Sequence, residues 1–314
     1  MTSVAGAATD LPAVTLGANA TRVLRALGLG DALEQIAHIP DREQIRLGRS
    51  GYLLAELPLA KFYADRYGAR LINIEQHELA GMLNAELAKP CDSPLHEIAR
   101  HHQLVIMTAS EPAETSGQFS FFHARMPRTK LAPQCNVTWL LERQVAWEFS
   151  TQSTTHFFFS TPIGCQLKAM DRHPTIQDAV AQATPIAWPV RDGIRQHWVE
   201  GNLVYSGHAS YPTTAYFRES LSCGFEDAWV LSRMLENYEE DMHDGLSEYA
   251  RYRQVRARKI TRETESLTAS LTQPVAAKRI MRNLGIALST RFLPEIAMSR
   301  RDWFHSYDRI KGFR

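Results

Sequence analysis

The chain has 314 residues, 44% hydrophobic, 22% charged and 9% aromatic, a globular composition and not that of a disordered chain. With 35 Lys and Arg against 34 Asp and Glu the net charge is +1, which excludes a nucleic-acid binder built on a broad basic field. No apolar run approaches the roughly eighteen residues of a membrane span, and Met1 to Asp10 lacks the basic start and apolar stretch of a signal peptide. Cys91, Cys135, Cys165 and Cys223 show no CxxC spacing. They read as reduced thiols of a cytoplasmic protein, not as a disulfide frame or zinc site.

Helical periodicity runs from about 18 to 37 through Ala20, Val23, Leu24, Leu27, Leu29 and Leu33, with Gly28 and Gly30 marking a helix C-terminus. Short strands are expected at Gln44–Gly48 and Tyr52–Leu57, then a strand at Leu71–Ile74 leading into a helix over His77–Ala88. The middle third changes character. Gln103–Ala109, Gln118–Met126, Asn136–Leu141, Val145–Phe149 and Thr155–Ser160 are β-branched or aromatic runs between Pro, Gly, Asn and Gln, the pattern of a largely antiparallel sheet. Its clustered Phe residues suit a sheet covered on both faces or one lining an apolar pocket. A strand at Leu203–Ser206 ends at Gly207, and helices follow over Glu219–Tyr238, Gly245–Ala269 and Val275–Leu288. Helices around a strand-rich centre predict a mixed α+β architecture.

Four segments, in order, resemble the FAD-dependent aromatic hydroxylases, the single-component flavin monooxygenases of the salicylate and para-hydroxybenzoate hydroxylase type. The run from Leu16 through Asn19, Ala20 and Arg22 to Leu29 resembles that family's PNA-x-R-x-L-x-x-LGL helix, and Leu71–Leu79 sits at its H-R-x-x-L strand-to-helix step. Trp198–Ala209 resembles the G-R-V-V-L-x-GDA strand and turn, continued by Gly224–Leu231 as the A-I-E-DA-x-x-L helix. Arg301–Asp308 resembles the R-x-DW-x-x-x-YD tail. The resemblance implies a reduced, aromatic-hydroxylase-like flavoprotein fold with a central antiparallel substrate-type sheet and C-terminal helices. It also implies three parts: 1–102 as a remnant of an FAD-binding domain (its first part), 103–190 as the substrate-type antiparallel sheet domain, and 191–314 as the remnant's second part with the C-terminal helices.

The cofactor motifs depart from that pattern. No G-x-G-x-x-G turn follows a strand, although glycines there let the backbone approach a pyrophosphate; the family's first strand, phosphate turn and ribose-binding acid are expected to be missing. Gln76 replaces the cofactor-side arginine, His208 the GDA aspartate, and Ala215, Glu219 and Ser220 the P-x-x-x-QG loop. No GADG turn precedes the central sheet near Leu104–Glu111. Glu219 is expected to stand uncompensated and to repel a diphosphate. Glu226 and Asp227 match the family's own helix and are neutral in this respect.

Three functional readings stay open. The first is a flavin monooxygenase acting on a small aromatic or polyketide-like hydrophobic molecule, with FAD as the implied cofactor, NAD(P)H as reductant where flavin is bound, and no metal. Its cofactor-side residues would be Gln76, Gly207, His208 and Asp227. The second is a flavin-free cyclase, isomerase or dehydratase using the same cavity, with His208 as general base and Ser210, Tyr211 or Glu219 orienting it or donating a proton. The third is a noncatalytic binding protein, or a partner subunit; a partner protein or self-association belongs with these readings. No G-x-S-x-G supports a serine hydrolase. Cys91, His96, His101 and His102 have poor metal-ligand spacing, and Glu239, Glu240, Asp241 and Asp244 read as a solvated turn. Arg251, Arg253, Arg256, Arg258, Lys259 and Arg262 interleave with apolar residues and predict an amphipathic helix with a charged outer face, giving no nucleic-acid site.

Overall fold

The computed structural model describes residues 11–89, 104–108, 119–128, 134–167, 172–186, 193–212 and 219–308. A short strand β1 (Ala13–Leu16) leads through Gly17 into helix α1 (Ala18–Ala26). Gly28, at φ +77°, closes α1: its N–H reaches Arg25 O and that of Leu29 reaches Leu24 O, the paired bonds of a glycine-ended helix. Gly30 instead begins α2 (Gly30–Ile36), so the expected 18–37 stretch is two helices. Strands β2 (Arg42–Leu47) and β3 (Leu53–Pro58), helix α3 (Ala60–Tyr67), strand β4 (Ile72–Glu75) and helix α4 (Gln76–Leu87) follow. The strands β5 (Val105–Met107), β6 (Phe119–Pro127), β7 (Cys135–Leu141), β8 (Gln144–Ser150) and β9 (Thr154–Pro162) fill the middle. Helix α5 (Pro174–Ala181), with proline in its first turn, precedes β10 (Thr184–Ile186), β11 (Val199–Glu200) and β12 (Leu203–Tyr205). Helices α6 (Leu221–Asn237), α7 (Met242–Leu271), α8 (Ala276–Phe292), α9 (Pro294–Ser299) and α10 (Asp302–His305) complete the described residues.

A seven-stranded sheet in the order β10-β6-β9-β8-β7-β2-β3 forms the centre, antiparallel except for the β2–β7 pair. It takes β2 and β3 from residues 42–58 as well as the strands of the middle third. One face packs Val137, Trp139, Ala146, Phe157 and Phe159 against Ile176 and Ala179 of α5. The other presents Val145, Trp147, Phe149 and Phe158 toward Ala13 of β1. Alternation across the pleat divides the adjacent Phe157, Phe158 and Phe159 between these faces. β1 pairs antiparallel with β4, and β12 lies between β11 and β5, parallel to β5.

The C-terminal helices are tied to this frame by a buried ionic cluster. Arg253 Nε meets Asp227 Oδ1 and its Nη2 meets Glu226 Oε2 at 3.0 Å; Arg256 bonds both oxygens of Glu226 at 2.8 and 3.0 Å. These two arginines correct the expectation for the basic helix, because they lie on its buried face and not among its outer charges. Asn19 Nδ2 donates to Glu226 at 2.6 Å, and Arg256 Nη1 donates to Trp303 O at 2.7 Å. Burial alone would raise the Glu226 carboxyl, but the Arg256 and Arg253 guanidiniums hold it below the ordinary range. Arg253, which burial alone would depress, is held well above its ordinary value by Asp227 and Glu226. Replacing Arg253 with Met leaves buried carboxylates short of a partner, so Arg253→Met is expected to lose about 3–5 kcal/mol in chemical denaturation. A loss below about 1 kcal/mol would show that the cluster contributes no more than an exposed ion pair.

Candidate functional site

A cleft opens between β1, the central sheet and the first turn of α6. Phe121, Trp147, Phe149 and Phe158 give it an aromatic floor; Ile186 and Leu11 stand at its margins, and Ala13, Val14, Thr15, Ser220 and Leu221 face the floor. Phe149 and Phe158 stack with centroids 5.6 Å apart and planes at 7°. The opposing wall is small because β1 contributes Ala13, Val14 and Thr15 at full burial, which leaves room above the rings.

Thr15 and Ser220 are the polar side chains in its lining, and Thr15 ends a buried polar network behind β1. Thr15 Oγ1 donates to Asn73 Oδ1 at 3.0 Å, and Asn73 Nδ2 donates to Asn136 Oδ1 at 2.8 Å, joining β1, β4 and β7. Beside them Glu75 Oε1 accepts from Thr151 Oγ1 and lies 2.8 Å from His156 Nε2; His156 Nδ1 lies 3.0 Å from His123 Nε2. Burial holds His123 down at about 4, with His156 and Arg125 adding to the effect. For Glu75, burial pushes upward, but the bonds from His156 and Thr151 carry it below the usual carboxylate range.

The turn after β12 lies at the carboxyl end of a parallel strand pair, where Ser206 N donates to Met107 O at 2.9 Å. Such ends are the usual ligand position in open α/β sheets. The structure brings Gly207, Tyr211 and Asp227 together: Asp227 Oδ2 accepts from Gly207 N at 2.7 Å and from Tyr211 Oη at 3.1 Å. Tyr211 is fully buried, stacks on Trp198, and is pushed well above its ordinary value by burial and by Asp227. Among the described residues, His208 Nε2 and Ser210 Oγ are buried without a hydrogen-bond partner. Burial depresses His208 to about 4, so at neutral pH it offers hydrogen bonding and no charge.

Glu219 sits apart from this group. It is buried and bonded by Arg301 Nη1 at 3.3 Å, and the same guanidinium reaches Glu43 of β2 at 3.3 Å. The expectation of an uncompensated carboxylate is therefore corrected: a cation supplied 82 residues later in the chain neutralises it. Gln76 opens α4, its N–H on Pro12 O at 3.0 Å. None of Gln76, Gly207, His208, Ser210, Tyr211, Glu219 and Asp227 lines the cleft, though Ser220 and Leu221, next to Glu219, do. Cys91, His96, His101, His102 and Ala215 lie outside the described residues, among which no cluster of metal-ligand type occurs. No helix among them is long and apolar enough to cross a membrane. Sequence reading missed the β1 wall and the Glu75–His156–His123 chain. The available signal was that each histidine abuts a phenylalanine run, in Phe121-Phe122-His123 and His156-Phe157-Phe158-Phe159.

No protein-family model matches the chain. It is 23% identical over 306 residues to a 6-hydroxynicotinate 3-monooxygenase of Bordetella bronchiseptica, covering 79% of this chain and 78% of that protein. Its fold matches HpxO of Klebsiella pneumoniae complexed with FAD at a TM-score of 0.73 and 16% identity, covering 93% of this chain and 90% of that one. The p-nitrophenol 4-monooxygenase PnpA of Pseudomonas putida matches at 0.73 and 13%, covering 97% and 90%. This chain has the fold of the flavin-dependent aromatic hydroxylases. The aromatic-hydroxylase-like fold implied by the four segments, and the mixed α and β architecture expected from the apolar periodicity, are both found.

His38, His123 and His208 are each held near 4, below the ordinary value of about 6.5. As pH falls from about 6.5 toward 4, the unfolded chain binds protons that the native protein refuses, so stability is present above this window and is lost through it. Unfolding free energies from urea titrations at a series of pH values should fall across this window, and His123→Phe should make the fall shallower. A flat profile would overturn this.

Proposed function

We propose that the protein is an FAD-dependent monooxygenase whose aromatic substrate lies in the cleft between β1 and the central sheet. The observation that carries the reading is the cleft itself, an aromatic-floored space with the Thr15 and Ser220 hydroxyls among its lining. Its likeness in sequence to 6-hydroxynicotinate 3-monooxygenase and in fold to FAD-bound HpxO supports the same assignment. The substrate class is a small planar aromatic or heteroaromatic molecule, since stacked rings favour flat ligands over branched aliphatic ones.

The residues at the β12 turn fit a flavin cofactor. Two buried polar atoms, His208 Nε2 and Ser210 Oγ, lack partners among the described residues at the carboxyl end of a parallel strand, and Asp227 holds the turn beneath them through Gly207 N–H. His208 and Ser210 would hydrogen-bond the polar chain of FAD, and Gly207, at φ +55°, would let the backbone come close. FAD when bound supplies the oxygen-activating chemistry, with NAD(P)H as the reductant. The protein's own contribution is to bind and orient the ring. The apolar floor excludes water, while Asn73 fixes Thr15 at the opposite wall. A flavin-free acid–base enzyme centred on His208 has less support, because Ser210 has no partner and Tyr211 and Glu219 are engaged by Asp227 and Arg301.

Titration of the purified protein with FAD, followed by flavin fluorescence, should show saturable binding that weakens about tenfold in His208→Ala, the loss of one buried hydrogen bond. Turnover of an aromatic substrate without FAD or oxygen would overturn the flavin assignment. Leu221→Trp should narrow the cleft and weaken binding of a hydroxylated aromatic by at least about tenfold, because overpacking a formed pocket costs about 1–3 kcal/mol. Unchanged affinity in Leu221→Trp, measured by calorimetric titration, would place the ligand elsewhere.

A further inference from the structure

Helix α8 carries its apolar residues on the outside. Ile280, Leu284, Leu288 and Phe292 follow at four-residue steps with Met281 beside them, which makes one stripe on a helix of 3.6 residues per turn. These five side chains are 48–72% exposed, and none of the residues of α8 is buried. The half-buried side carries Arg279, Arg282, Asn283, Ser289 and Thr290 along with Ile286. An ordinary surface helix has the opposite arrangement, apolar inward and polar outward. The stripe continues past the end of α8 through Leu293 and Ile296, both exposed.

The inward groups hold this orientation. Arg282 Nη1 donates to Ser270 O at 2.8 Å and to Leu271 O at 3.1 Å, satisfying carbonyls at the carboxyl end of α7, and Arg279 Nη1 donates to Pro274 O at 2.7 Å. Beyond the other end of α8, Met298 of α9 is buried with Leu59, Tyr63 and Leu71. Between these anchors α8 lies along β3, the edge strand of the central sheet. Charge sets what the stripe can meet. From Ser266 to Pro294 the chain has no Asp or Glu, yet Lys278, Arg279, Arg282 and Arg291 fall in that stretch. Glu56 of β3 is taken by Arg42 and Gln44. A second copy of the helix laid on the stripe would bring like charges together with no acid on either helix to offset them. A surface that is apolar within and anionic at its edge complements both the stripe and its cations.

We propose that α8 docks the protein on an anionic lipid surface. Ile280, Met281, Leu284, Leu288 and Phe292 enter the boundary between headgroups and acyl chains, and Lys278 and Arg291 reach the headgroups on their flexible stems. The helix is about 25 Å long at 1.5 Å per residue, short of the roughly 30 Å hydrocarbon core, so it lies in the plane of the interface and does not span it. One such helix gives reversible attachment that salt weakens, because exposed charges are screened beyond about 8 Å at physiological ionic strength. The docking stands whether or not the cleft holds an aromatic ligand.

The test is co-sedimentation of the whole protein with phosphatidylcholine vesicles, either pure or with about one quarter phosphatidylserine. Binding to the anionic vesicles should be at least about tenfold tighter than to the neutral ones and should weaken severalfold in about 0.5 M salt. The double variant Leu284→Ser/Leu288→Ser should lose at least about tenfold in affinity for the anionic vesicles, and Lys278→Gln/Arg291→Gln about tenfold. All four side chains are exposed, so both variants should keep the melting temperature of the unaltered protein. No sedimentation with the anionic vesicles, equal binding to neutral and anionic ones, or full binding by the leucine variant would overturn the proposal. A protein that ignores both vesicles, yet forms a dimer that Leu284→Ser/Leu288→Ser dissociates, would assign the stripe to self-association and overturn lipid docking.

Discussion

The buried cluster of Glu226, Asp227, Arg253 and Arg256 is the interaction on which the rest of the structure depends. Its four charged groups come from two helices, and its outer bonds reach α1 through Asn19, the β12 turn through Gly207, and the C-terminal segment through Trp303 and Tyr307. Removing such charges from water costs several kcal/mol per ion, recovered only when each lone pair and N–H finds a partner. The cluster therefore specifies geometry more than it adds stability. Any slippage of α7 against α6 would strand a buried charge.

This explains which segments carry the family resemblance. Asn19 and Arg22 of the first segment bond Glu226 and the backbone oxygens of Tyr67, His305 and Tyr307. Asp302 of the last takes Arg66 and the Tyr67 hydroxyl. These motif residues fasten distant parts of the chain together, so they are constrained whatever ligand is bound. The positions that depart from the pattern, Gln76, His208, Glu219 and Ser220, make contacts of another kind. Glu219, ahead of α6, is accommodated by Arg301, which also satisfies Glu43 of the central sheet. One guanidinium thus bridges the sheet, the start of α6 and the C-terminal helices.

The cleft owes its character to the meeting of two elements with opposite side-chain size. Alternating aromatics on β8 and β9 build a flat floor, and β1 presents Ala13, Val14 and Thr15 above it. Larger residues on β1 would close the space, and smaller ones on the sheet would leave nothing flat for a ring to stack against. Buried polar groups are concentrated where β4 approaches the sheet, because Asn73 and Glu75 must satisfy Asn136, His156 and Thr151 once these are buried.

Local pattern alone located most of the strands and helices, since the period of apolar residues and the turn chemistry at Gly28 and Gly207 are properties of neighbours in the chain. It also identified the family-like scaffold. Helices α3 and α5 were not foreseen: their eight-residue spans carry too few turns for a clear period. Only the tertiary structure decided that Arg253 and Arg256 face inward, that Arg301 compensates Glu219, and that His123, His156 and Glu75 form one chain. The partners in these contacts lie 26 to 82 residues apart, and strand register and helix rotation bring them together. Those are set by burial of whole faces and satisfaction of whole networks, which no single segment of sequence contains.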